Sequence, residues 1–249
     1  MARKARYSGV AEAPLLFDTT LPIPPTVHGA EGHRARMRDR LLTAGPEALA
    51  DHEMLEMVLF LALPRRDTKP IARALLDGFG GFGQVIAASP ADLMRVEGLG
   101  EAGTAALKLV QAAAMRLLRA ELSGRPVLSD WQRLVDYLRA RMRHERAEQT
   151  RVLFLDSRNR LLADELMGQG TVDHAPLYPR EVVRRALELH ATAIVLAHNH
   201  PGGDPAPSRE DVSLTRAVRQ ACEALGIRLH DHVIIATDSW VSFRHLGLL

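Results

Sequence analysis

The chain has 249 residues, 47% of them apolar and 25% charged, with a formal net charge of +2, the mix of an ordinary globular protein of one or two domains. Its longest apolar run, Met57 to Leu63, is far short of the roughly 20 residues that span a membrane, and the basic start (MARKARYSGVAEAPLLF) lacks the apolar core of a signal peptide. The single cysteine, Cys222, can form no internal disulfide, so a reducing, cytoplasmic location with no membrane partner is expected.

The isoelectric point is near 9.0. Asp and Glu nearly balance the cations, which are almost all Arg, with Lys only at Lys4, Lys69 and Lys108. Global charge therefore gives no argument for nucleic acid, and local features must decide.

Residues 1–30 hold Pro14, Pro22, Pro24 and Pro25 with little periodicity and read as a flexible arm. From 31 to 122 the signals are helical. Helices are expected over 34–42, over 51–62 before Pro64, and over 69–76 with Pro70 in a tolerated first turn. A short one over 91–96 and a long one over 101–122 follow. The run Gly78-Phe79-Gly80-Gly81-Phe82-Gly83 matches a dinucleotide-binding pattern literally. That pattern needs a preceding strand, and these flanks are helical, so a glycine-rich interhelical turn is the reading. Val96-Glu97-Gly98-Leu99-Gly100 looks like a helix-hairpin-helix turn. Gly98 and Gly100 permit the tight turn, and amides at the following helix start suit a sequence-independent contact to DNA backbone. Glu97 and Glu101 flank it where a strong DNA binder carries cations, so a packing hairpin or protein-interaction module fits equally.

A linker over 123–128 (Ser123-Gly124-Arg125-Pro126) separates this part from a second domain over 129–249. There a helix capped by Ser129 is expected over 130–143, then a strand over 151–156. The tight turn Arg158-Asn159-Arg160 and a paired strand over 161–167 come next. Pro179 opens a helix to 190 with Val182, Val183, Ala186, Leu187 and His190 on one stripe. Then come a buried strand over 193–197, a helix over 208–225 stopped by Gly226, and closing strands over 227–236 and 240–243. The partial alternation predicts a mixed α/β layer.

His198 and His200 stand two apart at a strand end, so both imidazoles leave one face, roughly 6.6 Å apart at Cα. A Pro/Gly-rich connector leads to Ser208, a helix cap, with Asp211 three residues on. Asp211 extends the apolar stripe Leu214, Val218, Ala221, Cys222, Leu225 backwards, and a carboxylate there needs a partner. Two His and one Asp with an open fourth position are a zinc-binding pattern. A hydrolytic site adds a carboxylate base. Asp164, Glu165, Glu181 and Glu210 are candidates that spacing cannot separate.

The pattern H-x-H-x₇-S-x-x-D, carried by His198, His200, Ser208 and Asp211, resembles the JAMM (MPN-plus) metalloprotease signature. The text around it (GTVDHAPLYPREVVRRALELHATAIVLAHNHPGGDPAPSREDVSLT, then DHVIIATDSWVSF) resembles the RadC family. The family usually has Ser where Gly202 stands. The resemblance implies an α/β protein: an N-terminal all-α helix-hairpin-helix region, then a mixed-sheet MPN (JAB) domain of the cytidine-deaminase-like layer type. It implies zinc on His198, His200 and Asp211, and Ser208 bonding the water or the developing oxyanion. Glu165, five residues before Gly170-Thr171, becomes the general base. A polypeptide substrate is implied, cleaved at a peptide or isopeptide-like amide bond. The family's link to DNA repair supports the alternative, a DNA-associated accessory protein with a structural or silent metal site.

Overall fold

A computed structural model describes residues 30–122, 124–170 and 177–249. The expected arm lies outside the described residues up to 29, as do Ser123 of the linker and Thr171. Helices α1 (Ala30–Ala44), α2 (Asp51–Ala62), α3 (Lys69–Phe79), α4 (Phe82–Ala87), α5 (Pro90–Leu93) and α6 (Gly100–Leu122) make up the N-terminal part. They enclose a core of Leu55, Leu59, Ile71, Leu75, Val85, Leu93, Leu99 and Leu107. Each such side chain contributes about 1.5–3 kcal/mol of transfer free energy.

The glycine-rich turn is shorter than expected. Gly80, at φ 101°, ends α3. Gly83 already lies inside α4, a helix the pattern did not predict. Its reason is burial: Phe82, Val85 and Ile86 pack into the helical core. The glycines are flanked by helices, as expected. The helix expected over 91–96 is only α5, because the chain turns from Met94 onward into the hairpin.

In the C-terminal part, α7 (Trp131–Met142) precedes strands β1 (Gln149–Leu155) and β2 (Leu161–Gln169). Then come α8 (Pro179–Glu188), β3 (Ala193–Asn199), α9 (Arg209–Glu223), β4 (Arg228–Ile235) and β5 (Trp240–Ser242). The sheet order is β2-β1-β3-β4-β5. Only β3 and β4 run parallel, joined through α9. The sheet is therefore mixed, and every residue of central β3 is buried, as a strand covered on both faces requires. One face, with Leu153, Leu155, Val195 and Ala197, packs on α7 and the end of α6. The other, with Val152, Phe154, Ile194 and Leu196, packs on α8 and α9.

Several local details differ from expectation. Asp130, not Ser129, caps α7, its carboxylate accepting from the Arg133 amide at 3.3 Å; Ser129 ends a short 3₁₀ turn instead. Leu187 and Leu225 are exposed. His190 is exposed too, because α8 stops at Glu188 and His190 turns to φ 53°. Thr215 takes the buried place on α9 that the apolar stripe had not included. At the linker's end the Val127 amide donates to the Asn159 carbonyl at 2.7 Å, in the tight turn between β1 and β2.

Candidate metal centre

The site forms where β3 runs out towards α9, outside the carboxyl end of a parallel strand, the usual ligand position of open α/β sheets. Strand alternation sends Leu196 and His198 to the α8/α9 face and Asn199 to the α7 face. Asn199 fixes the strand end: its Oδ1 accepts from the Gln149 amide at 2.9 Å and its Nδ2 donates to the Ala147 carbonyl at 3.1 Å. His200 prolongs the ladder, its amide donating to the Ile235 carbonyl at 2.9 Å. Gly203, at φ 87°, then turns the chain, its amide donating to the His200 carbonyl at 3.1 Å. Ser208 caps α9 in a capping box with Asp211: Oγ accepts the Asp211 amide at 3.1 Å, and Asp211 Oδ2 accepts the Ser208 amide at 2.8 Å.

The three expected ligands meet. His198 Nε2 lies 2.8 Å from His200 Nε2. Asp211 Oδ1 is 3.2 Å from His198 Nε2, and Oδ2 is 3.6 Å from His200 Nε2. Among the described residues these form the group that could hold a metal ion, with donor atoms that all lie within 4.8 Å of one another. Proton positions follow from the partners. A carbonyl oxygen only accepts, so His200 Nδ1, 2.8 Å from the Asp204 carbonyl, carries a proton. In the neutral ring Nε2 is then a bare lone pair. The Ser208 hydroxyl donates to Asp211 Oδ2 at 2.6 Å. Imidazole lone pairs and a carboxylate thus converge with a donor deficit, an arrangement that a cation relieves. Side chains of His200 and Asp211 keep 16% of their surface exposed, against 5% for His198, so the cluster opens to solvent on the loop side.

The electrostatics agree. Burial pushes the Asp211 carboxyl up, but the pull of His198 and His200 whenever those rings take up a proton, together with the Ser208 hydroxyl, holds it far below the ordinary carboxylate range. The hydrogen bond to Asp211 raises His200, against desolvation, with the charge of Glu148 contributing.

Of the carboxylates considered as bases, Asp164 faces the other side of the sheet, paired with Arg151 at 2.8 Å and bonded by Tyr137. Glu181 pairs with Arg184 at 3.0 Å on α8, and Glu210 is exposed on the first turn of α9. Glu165 lies on the correct face, opposite Val152, which is itself opposite Leu196. It is held by Arg185 through contacts of 2.6 to 3.0 Å. Strand spacing puts its Cα roughly 12 Å from that of His198. Glu148 was not among the candidates. Glu148 lies just before β1, beyond the last β1–β3 pair, Thr150 and His198, and its charge reaches His200. No local signal in the sequence points to it until the β1–β3 register is known.

His232 is the second residue that the sequence left without a role. It is fully buried on β4. Its Nε2 lies 2.7 Å from His198 Nδ1 and its Nδ1 lies 2.6 Å from Thr215 Oγ. Burial and the neighbouring His198 charge push its pKa well below the usual value. Asp231, beside it, accepts from the Ser242 hydroxyl and the Arg244 amide at 2.5 and 2.9 Å and anchors β5. His230 bonds Asn159 at 2.7 Å, and burial raises the Cys222 thiol to about 11. Far from this centre, Gly98 and Gly100 adopt φ 84° and 60° between α5 and α6. The Gly98 carbonyl accepts from Arg66 at 3.0 Å.

Residues 128–248 match the family described as RadC-like JAB domain, and residues 32–105 match UPF0758 N-terminal. A UPF0758 protein of Rhodobacter capsulatus is 57% identical over 213 residues, covering 86% of this chain and all of that protein. A UPF0758 protein of Ruegeria pomeroyi is 52% identical over 217 residues, covering 87% of this chain and 97% of the relative.

Proposed function

The chain belongs to the RadC family, and from that premise we propose that it is a zinc-dependent hydrolase of peptide or isopeptide-like amide bonds in a polypeptide. The observation that carries this reading is the convergence of His198, His200 and Asp211 with more acceptors than donors. Two imidazoles and one carboxylate suit zinc, with a fourth position left for substrate or water. Zinc in such a site supplies Lewis acidity, which makes water a competent nucleophile at neutral pH. The protein's own residues do the rest. Ser208, whose hydroxyl donates to Asp211, would turn that proton to the attacking oxygen or the developing oxyanion. A carboxylate takes the water's proton and passes it to the leaving amine. Glu148, whose charge acts on His200, and Glu165, which Arg185 holds, are the two candidates for that task, and we favour Glu148 for its nearness to His200.

Metal analysis tests the reading. Purified protein should hold about one zinc per chain, and Asp211→Ala should hold close to none; a metal-free wild type refutes it. An amide-substrate screen with Glu148→Gln and Glu165→Gln then identifies the base.

A second reading rests on the hairpin. Gly98 just before the 23-residue α6 and Gly100 at its first position take left-handed conformations, so amides at that helix start could meet a phosphate of DNA. A Cβ on Gly98 would approach Ile71 Cδ1 at 3.3 Å. DNA binding that weakens with salt and with Gly98→Ala or Gly100→Ala supports it; no binding at low salt removes it.

A further inference from the structure

We propose that Thr215 and His232 form a tautomer lock on His198, a positioning pair that turns the Nε2 lone pair of His198 towards the metal position. The inference rests on the proposed function for its purpose and on hydrogen-bond geometry for its content.

The chain of deduction begins at an atom that cannot donate. The Asp211 carbonyl oxygen lies 2.6 Å from Thr215 Oγ. A carbonyl only accepts, so the single hydroxyl proton of Thr215 is spent there. Thr215 Oγ can therefore only accept from His232, and at 2.6 Å the Nδ1 of His232 must carry a proton. The neutral His232 ring then presents a bare Nε2. At 2.7 Å from His198 Nδ1 that lone pair takes the Nδ1 proton of His198. One atom remains on the His198 ring, Nε2, and it is left unprotonated, facing His200 and Asp211. With both rings neutral, every link has one allowed direction.

The lock is rigidly mounted. Thr215 is 1% exposed and His232 is 0% exposed, so water cannot substitute for either partner. The His232 ring stacks on Phe243 with centroids 4.5 Å apart, and its amide donates to Asp231 at 2.7 Å. The lock also ties two ligands together. It starts at the backbone of Asp211 on α9 and ends on the ring of His198 on β3, so the carboxylate and the imidazole are oriented by one chain. His200 gets its tautomer separately, from Asp204. A partner that orients a metal-binding imidazole typically changes metal affinity by about 10–100-fold.

The test uses the full-length chain with Thr215→Val, Thr215→Ser and His232→Phe. Zinc affinity is read by chelator competition, and histidine tautomers by nitrogen-resolved NMR of the metal-free protein. The lock predicts Nδ1-protonated His232 and His198 in wild type. It predicts zinc binding weaker by about 10–100-fold in Thr215→Val and His232→Phe, restored by Thr215→Ser. Thr215→Val exchanges a hydroxyl for a methyl of similar size, so it keeps the test valid where His232→Phe fails to fold. Nε2-protonated His232, or unchanged zinc affinity in Thr215→Val, overturns the lock. Wild type that takes no zinc yet shows these tautomers overturns the proposed function and leaves the lock standing.

Discussion

Two buried polar clusters lie on opposite faces of the same sheet, and they differ in one respect. On the α7 face, Asp164 receives the Arg151 guanidinium at 2.8 Å and the Tyr137 hydroxyl. Each carboxylate oxygen there has a donor, and the side chains of Arg151 and Asp164 are 6% and 2% exposed. On the α8/α9 face, His198, His200 and Asp211 bring lone pairs together with too few protons to pair them. The first cluster is closed and needs nothing from outside. The second has acceptors to spare, which a cation would balance. Titratable residues in a core are thus no guide to function by themselves; the balance of donors and acceptors is.

Substitutions that exchange the behaviour of the two clusters test this contrast. The largest effect is expected from His198→Ala/His200→Ala, which should abolish zinc uptake and hydrolysis together, while Asp164→Ala keeps about one zinc per chain by metal analysis. Next, Glu148→Gln should retain zinc and lower kcat by about 10²–10⁴-fold, the usual contribution of a general base. Glu165→Gln should change kcat far less, and the reverse ranking moves the role back to Glu165. Asp164→Ala should destabilise by about 3–5 kcal/mol in urea titration, because Arg151 is left buried without its partner. Zinc at a hundredfold excess over its Kd should stabilise wild type by about 2.7 kcal/mol and Asp211→Ala not at all. The smallest effect concerns Tyr137. Burial first, then the Asp164 charge, raise its phenol from 10.0 to about 12. A raised folded-state pKa gives stability that is complete below the unfolded value and lost as pH climbs through the folded one. Denaturation midpoints of wild type should therefore fall from pH 10 to 12, a slope that Tyr137→Phe lacks.

The sequence made the clustered His198, His200 and Asp211 legible and the network around them illegible, for a physical reason. His198, His200, Ser208 and Asp211 lie within one strand–loop–helix passage, so local spacing carries their geometry. The same holds for the helices ended by Gly80 and Gly226 and for the Asn159 turn, whose Asp156 carboxylate accepts from the Arg158 and Arg160 amides at 2.8 and 2.9 Å. His232 reaches His198 across strands, through a pairing fixed only by sheet register, and Glu148 acts on His200 from beyond the end of β1. Thr215 hides in a helix stripe read for apolar residues. Glu165 shares a face with His198, but α8 supplies an arginine that claims it. α4 was missed because its glycines spoke for a turn while Val85 and Ile86 found a core.

Helix α6 gives the molecule a mechanical property that neither half has alone. Its first turns, through Leu107, belong to the helical core, and its last, through Leu122, to the core beneath the sheet. At 1.5 Å per residue it is a strut of about 35 Å. A cut at the change of composition near residue 123 would leave the sheet with an apolar socket where Leu122 sat. The two halves should therefore melt in a single transition. Any load applied at the Gly98–Gly100 hairpin is carried along α6 to the layer under β3, as force through a rod rather than diffusion along a tether.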